Sequence, residues 1–480
     1  MNRNNIWIHI GLGVVLIMLA AVVGQIERWR VMLNMNASGI RTVDKKREEI
    51  KTITGATHSE VLVRFKPGVN LEQIRAIAAA NHDSLSDEVE SVKGLSFIDD
   101  LDDADMESVA AQYRAMPGVA YAEPNYQIKL DEQTKSEVYS TIPQDLLYRV
   151  PGPRPKWMPN DPMFTDQWGH YNSGQDGGTV QADIDVLKAW EKTKGSDEVV
   201  VAVLDSGVDY THEDLVANMW VRPKDLPAYT DDELGTFNDL NGFNGTDRMG
   251  DPMDDNGHGT HCAGIIGAEG DNGIGISGIN QTVKIMPLKF LGRGGSGTTE
   301  DAIEAINYAI DRKNHGVNLR IISASWGSTE HSQALEDTIR AAGDAGILFV
   351  AAAGNDGANN DKRPHYPSNY NKLPNVISVA ALDRNDKLAS FSNFGVGTVD
   401  IAAPGKDILS TWLNNSYREA SGTSMATPYV SGVAALIVAN EPDITMEKLR
   451  AKLLGSVDKL DSLSGKVTTG GRVCAANAMK

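Results

Sequence analysis

From Asn160 to the end of the chain, short runs of β-branched and small apolar residues alternate with longer stretches whose apolar residues recur every three or four positions. Val199–Leu204 (VVVAVL) is unbroken by any polar residue, the pattern of a strand covered on both faces. Val283–Lys289, Leu319–Ser325, Ile347–Ala353 and Val376–Ala381 repeat it. Between them, Thr298 with Asp301 three positions on predicts a capped helix start, and Ala302, Ile303, Ile306 and Ile310 follow at helical spacing. The alternation predicts an α/β fold: a mostly parallel, doubly wound sheet with helices on both faces. In such sheets, reactive side chains gather at the carboxyl ends of the strands.

A smaller pattern precedes this one. Val61–Phe65 (VLVRF) reads as a strand ended by Pro67–Gly68. Leu71, Ile74, Ile77 and Ala78 lay an apolar stripe on a short helix. Leu95–Ile98 reads as a strand, Met106–Met116 as an amphipathic helix stopped at Pro117–Gly118, and Val119–Ala122 as a last strand. A β-α-β-β-α-β order of this size predicts a small α+β, ferredoxin-like unit over residues 60–130. Residues 131–159 turn polar and then proline-rich (Val150–Pro155, VPGPRP), as an extended, cleavable linker does. At the N-terminus, Ile6–Gly24 is the one long apolar run. It is the length of a signal peptide cleaved near Gly24 or of an uncleaved membrane anchor, so residues 1–24 predict export, with 25–59 a further linker.

Charge and cysteine content narrow the function. Lys and Arg number 45 against 64 Asp and Glu, a net charge of −19. This excess repels phosphate backbones and argues against a nucleic-acid partner. The two cysteines, Cys262 and Cys474, can make at most one bridge, and Cys262, among small residues, reads as a buried thiol.

Three separated segments carry chemistry: VVVAVLDSGVD (199–209), NGHGTHCAG (256–264) and SGTSMATP (421–428). They supply a carboxylate, an imidazole and a hydroxyl, the groups that make an alcohol nucleophilic at neutral pH. Ser424 precedes an apolar helix, whose N-terminal N–H groups favour developing negative charge, and Pro428 is expected in its first turn. From composition alone Asp205, Asp209 and Asp214 compete for the carboxylate, and His258 competes with His261. A zinc site is disfavoured because H-E-x-x-H is missing.

With these segments in the order Asp, His, Ser, the chain resembles the subtilisin-like serine proteases, the subtilases. The resemblance selects Asp205, which stands before Ser-Gly, and His258 as general base, with His261 supporting the structure. It implies Asn355 in AAAGNDG as an oxyanion donor beside the Ser424 N–H. It also implies an extended polypeptide substrate lying along Ser325, Trp326 and Gly327, with pocket walls from Ala352 and Gly354. Asp356 and His365 sit near that first pocket, for which large apolar side chains are the default expectation. Tyr366–Pro367 matches the family's cis peptide.

Asp161, Asp214, Asn272 and the carbonyls of Ile274 and Ile276 match a subtilase calcium site. Asp247, Asp251 and Asp254 are a second candidate ion site, although a solvated acidic loop is the simpler expectation there. The segment ending PGVAYAEPNY (117–126) resembles an inhibitory prodomain, which makes residues 160–480 the catalytic domain and the linker the place of maturation. The implied protein is a monomeric, exported endopeptidase of broad specificity, inhibited in cis by its own prodomain.

Overall fold

A computed structural model describes residues 60–102, 104–130, 138–139, 158–231, 235–246 and 250–480. The apolar run at 6–24, the linker at 25–59, most of 131–159 and Asp247 lie outside the described residues. The chain divides into one unit of Met1–Ser59 with Leu101–Asp103 and a second of Glu60–Asp100 with Ala104–Lys480. All that follows concerns the second unit. Among the described residues no helix is long and apolar enough to cross a membrane.

The first part of this unit alternates as its sequence pattern predicts: β1 (Glu60–Phe65), α1 (Leu71–Ala80), β2 (Asp83–Glu88), β3 (Leu95–Asp100), α2 (Met106–Arg114) and β4 (Val119–Pro124). The strands pair in the order β2-β3-β1-β4, with both helices contributing to one core through Ile74, Ala78, Val109 and Tyr113. β2 (DSLSDE) was not located in advance. It is an edge strand with a single large apolar residue, and its buried groups include the carboxylates of Asp83 and Asp87.

Two short strands, β5 (Gln127–Lys129) and β6 (Val138–Tyr139), lead to the larger part. Its elements are β7 (Gly195–Asp205), β8 (Phe243–Asn244), α3 (His258–Gly267), β9 (Thr282–Lys289), β10 (Ser296–Thr298), α4 (Thr299–Asn314) and β11 (Leu319–Ala324). After them come α5 (Gln333–Asp344), β12 (Leu348–Ala352), β13 (Val376–Leu382), β14 (Ile401–Pro404), β15 (Ile408–Trp412), β16 (Ser416–Ala420) and α6 (Thr423–Asn440). Two short strands close the sheet, β17 (Asp458–Lys459) and β18 (Gly471–Arg472).

Nine strands form one sheet in the order β8-β9-β7-β11-β12-β13-β14-β18-β17, parallel except for the last pair. β7 shows why its sequence had to be apolar throughout. Val199, Val201 and Val203 enter the core on one face, and Val200, Ala202 and Leu204 enter the core on the other. Each valine or leucine among them contributes about 1.5–3 kcal/mol by leaving water. α6 is buried on every side from Thr423 to Val438, as a helix apolar all round must be. It packs against β7, β11, β13 and α3, which brings the ends of three remote segments to one place.

The small part docks on helices α4 and α5. Leu62, Val89, Leu95, Phe97 and Ile128 join the core beneath them. Its carboxyl-terminal segment supplies acceptors to both helix starts. Glu123 accepts from the N–H groups of Gln333 (2.9 Å) and Ala334 (3.1 Å), and Asn125 Oδ1 accepts from Glu300 N (3.0 Å). Helix starts have N–H groups with no partner inside the helix, so such caps contribute about 0.5–2 kcal/mol each. Tyr121 donates to Asp337 of α5 (2.9 Å), and Arg64 pairs with the same carboxylate.

Candidate active site

β7 ends at Asp205, a fully buried carboxylate at the carboxyl edge of the sheet. Its Oδ1 accepts from Ser206 N and lies 2.7 Å from His258 Nδ1. That contact fixes the imidazole so that Nε2 remains for proton transfer. Asp209 instead accepts from Thr211 and Asn414, and Asp214 lies among the residues after α3, so neither serves His258.

His258 opens α3, and Cys262, one turn along, donates from Sγ to the carbonyl of Ser424 (3.5 Å). Helix α3 therefore rests on the Ser424 peptide. His261 is fully buried, with Nε2 against the carbonyls of Arg418 (2.9 Å) and Ile408 (3.1 Å). Burial pushes its pKa down to about 3, so it is a neutral tie to the β15–β16 hairpin. Cys262 and Cys474 are both free and buried, and burial raises both thiols, Cys262 strongly and Cys474 to about 11.

Ser424 occupies the second position of α6, and its Oγ donates to the carbonyl of Ser325 (2.9 Å). Pro428 is not in the first turn, as expected, but at the sixth helical position. There its missing N–H would have bonded the Ser424 carbonyl. That oxygen is taken instead by Ser325 Oγ (2.8 Å) and Cys262 Sγ. Asn355 follows β12; its Oδ1 accepts from Thr423 N (2.8 Å) and Oγ1 (3.0 Å). Its Nδ2 is turned toward Gly422, where an added Cβ would meet it at 3.4 Å. The amide thus stands beside Ser424, near its backbone N–H.

Ser325, Trp326 and Gly327 follow β11, and Ala352 and Gly354 lie at the end of the neighbouring strand β12 and just beyond it. Between them sits His365, only 5 % exposed. A Cβ on Gly327 would come within 2.0 Å of its Cε1, and one on Gly354 within 2.9 Å of its Cδ2. The imidazole fills the slot between the two glycines. Tyr366–Pro367 is cis.

Asp254, expected in a solvated acidic loop, is instead buried, and burial raises its pKa. Oδ1 accepts from Ser206 Oγ (2.9 Å), Asn256 N (2.9 Å) and Gly257 N (3.0 Å), and Oδ2 from Thr260 N (3.0 Å) and Oγ1 (2.6 Å). One carboxylate thus joins the residue after Asp205 to the first turn of the His258 helix. The only local signal was Asp254 two and three residues ahead of N–H groups at a helix start, an Asx-turn spacing. Asp251 accepts from Tyr210 OH (3.1 Å) and Met253 N (3.1 Å). Lys289, which no local pattern singles out, is buried and its ammonium donates to the Ser206 carbonyl (2.6 Å) beside the end of β7.

The residues matching a calcium site do converge. Asp161 accepts from Asp271 N (3.0 Å) and Asn272 N (3.2 Å). Asp214 accepts from Ile276 N (2.9 Å) and Asn272 Nδ2 (2.9 Å), and Ile274 N donates to Asn272 Oδ1 (2.8 Å). Both carboxylates are fully buried. Burial first, then a neighbouring carboxylate, raises Asp161 to about 6 and Asp214 to about 7. Two buried acids beside the Asn272 amide supply oxygens of the kind a divalent cation takes.

Comparison with known proteins gives the family. The model of the subtilase family matches residues 196–470. A thermophilic serine proteinase of Bacillus sp. (strain AK1) is 35% identical over 428 residues, 88% of this chain and 87% of that protein. Thermitase of Thermoactinomyces vulgaris is 34% identical over 325 residues, 68% of this chain and all of that protein. Among solved structures, a protease of Pseudoalteromonas arctica PAMC 21717 superposes with a TM-score of 0.54 at 30% identity, covering 67% of this chain and 98% of that one.

Proposed function

Since the chain belongs to the subtilase family and is a subtilisin-like serine endopeptidase, we propose that Asp205, His258 and Ser424 are its triad and Asn355 its oxyanion donor. The observation that carries this is the 2.7 Å contact of His258 with a buried Asp205, on a helix that rests against the Ser424 peptide. His258 takes the Ser424 proton as Oγ attacks the scissile carbonyl, and then gives it to the leaving amine. Asn355 Nδ2 and the Ser424 N–H receive the charge that develops on the carbonyl oxygen. Water repeats the sequence on the acyl-enzyme and frees the acid.

The substrate adds an extended strand beside Ser325–Gly327, held by backbone hydrogen bonds, so specificity is broad along most of its length. His365 between Gly327 and Gly354 supports a first pocket that takes short side chains. Residues 60–130 act as an inhibitory prodomain, supported by β5 lying along the same wall and by the caps on α4 and α5. Asp161, Asp214, Asn272 and the carbonyls of Ile274 and Ile276 hold calcium, which would neutralise the buried acids and pin the loop after α3. The apolar run at 6–24 supports export of the monomeric precursor.

The test is direct. A fluorophosphonate should label mature protein at Ser424, and wild type but not Ser424→Ala should digest casein. Undiminished digestion by Ser424→Ala would overturn the assignment.

A further inference from the structure

Lys289 ends β9, and in the parallel pairing of β9 with β7 it stands directly opposite Asp205. Val203 and Ile285 enter the same core. Asp205 and Lys289 follow them at even spacing along their strands, so alternation puts both side chains on that face. Neighbouring strands run about 4.8 Å apart. A cation therefore rises beside the carboxylate that orients His258.

This lysine is not a solvated surface charge, being only 5 % exposed. An ammonium has three N–H donors, and three oxygens take them: the Ser206 carbonyl (2.6 Å), Asp255 Oδ1 (2.7 Å) and the Leu291 carbonyl (2.8 Å). The first belongs to the residue after Asp205, the second to the segment just ahead of His258, and the third to the exit of β9. That exit is itself bound to Asp205, whose carbonyl accepts from Phe290 N (2.9 Å). One buried cation thus ties the segment carrying the acid to the segment carrying the imidazole.

The charged and titratable groups around it come from several elements. They are Asp205 on β7, Asp254 and Asp255 ahead of α3, His258, His261 and Cys262 on α3, and Arg418 on β16, stacked over Trp412 at 4.5 Å. Burial keeps His261 neutral and Cys262 a thiol. The carboxylates therefore favour a protonated His258, and the Lys289 and Arg418 cations oppose it. A general base must be unprotonated before the attack begins, so a fixed ammonium extends activity toward lower pH.

We propose that Lys289 is a positioning residue for hydrolysis: it holds the end of β7 and the segment ahead of α3 in one geometry, and its charge sets the pH at which His258 can accept a proton. The inference rests on Asp205, His258 and Ser424 being the triad. Asp255 is the counter-charge to Lys289 and works in the opposite direction.

Mature wild type, Lys289→Met, Lys289→Arg and Asp255→Asn should be compared by peptide hydrolysis and fluorophosphonate inactivation across about pH 4 to 9, with thermal melts and mapping of the labelled serine. In Lys289→Met, kcat should fall about 10-fold or more as the imidazole loses its fixed place. The acid limb of kcat/KM, which reports the free enzyme, should move up by about half a unit to one unit. Lys289→Arg keeps the charge, so its acid limb should stay with wild type even where kcat falls. Asp255→Asn removes the counter-charge, and its limb should move down. That shift should be smaller, because the Asp255 side chain is 41 % exposed and screened by water. An acid limb that stays put in Lys289→Met, or moves as far in Lys289→Arg, would overturn the proposal and leave the lysine a structural prop. If Lys289→Met does not fold, Asp255→Asn decides: an unmoved limb, or one moved upward, overturns it. Labelling at a residue other than Ser424 would instead overturn the triad beneath it.

Discussion

Asp254 touches neither substrate nor the reacting atoms, yet Asp254→Asn should slow catalysis. The amide retains one oxygen. If that oxygen serves Ser206, Asn256 and Gly257, the amide nitrogen then faces Thr260, whose backbone N–H loses its acceptor. The Thr260 hydroxyl can turn to accept instead. One buried N–H without a partner costs about 1–3 kcal/mol, and the remaining bonds lose their charge assistance. The melting temperature should fall by several degrees. Because Ser206 and Gly257 flank Asp205 and His258, the imidazole loses its fixed position. A shift of about 1 Å in such a group costs on the order of 100-fold, so a 10- to 100-fold fall in kcat is expected. KM should hold, since the wall at Ser325–Gly327 is elsewhere. Peptide hydrolysis, fluorophosphonate inactivation rates and thermal melts on the mature enzyme measure all three. Wild-type kcat and melting temperature, or a raised KM with kcat intact, would refute the positioning role.

Asn355→Ala should lower kcat with little change in KM; removing such a donor from subtilisin costs about 10²–10³, and a loss under threefold would contradict the oxyanion role. His365→Gly should open the slot between Gly327 and Gly354, raising kcat/KM at least tenfold for peptides with phenylalanine at the cut but not for alanine; an unchanged ratio would place the pocket elsewhere. Without calcium, Asp161 and Asp214 bind protons more tightly folded than unfolded, with folded values near 6 and 7. Stability in chelator should therefore fall as pH rises from about 4 through 7, because the unfolded state has already given up those protons. Calcium bound to the ionised pair should raise the melting temperature more at pH 8 than at pH 5, and equal increments would argue against this site.

Much of the site was legible because each member sits in a contiguous segment with strong local grammar. Val199–Leu204 announces a strand and so places Asp205 at its end, and Thr298 with Asp301 announces α4. What was not legible depends on distant partners. The Asp254 loop is polar throughout, and only donors from Ser206 and Thr260 turn that polarity inward. β2 was missed because an edge strand with buried Asp83 and Asp87 lacks the alternation that marks one. The sequence puts His365 near the first pocket but not inside it; Gly327 and Gly354, which have no side chains, are what let the imidazole close into the space between them. Pro428 was misplaced because the helix begins at Thr423, five residues earlier, and nothing in the local sequence fixes that boundary.

The proline at 428 leaves the nucleophile's carbonyl outside the ladder of its own helix, and the substrate wall claims it through Ser325. Alcohol and docking strand are thereby sewn together twice, oxygen to hydroxyl in each direction. A displacement of Ser325 therefore pulls on the Ser424 peptide and on its hydroxyl together, and neither can shift alone without breaking a bond.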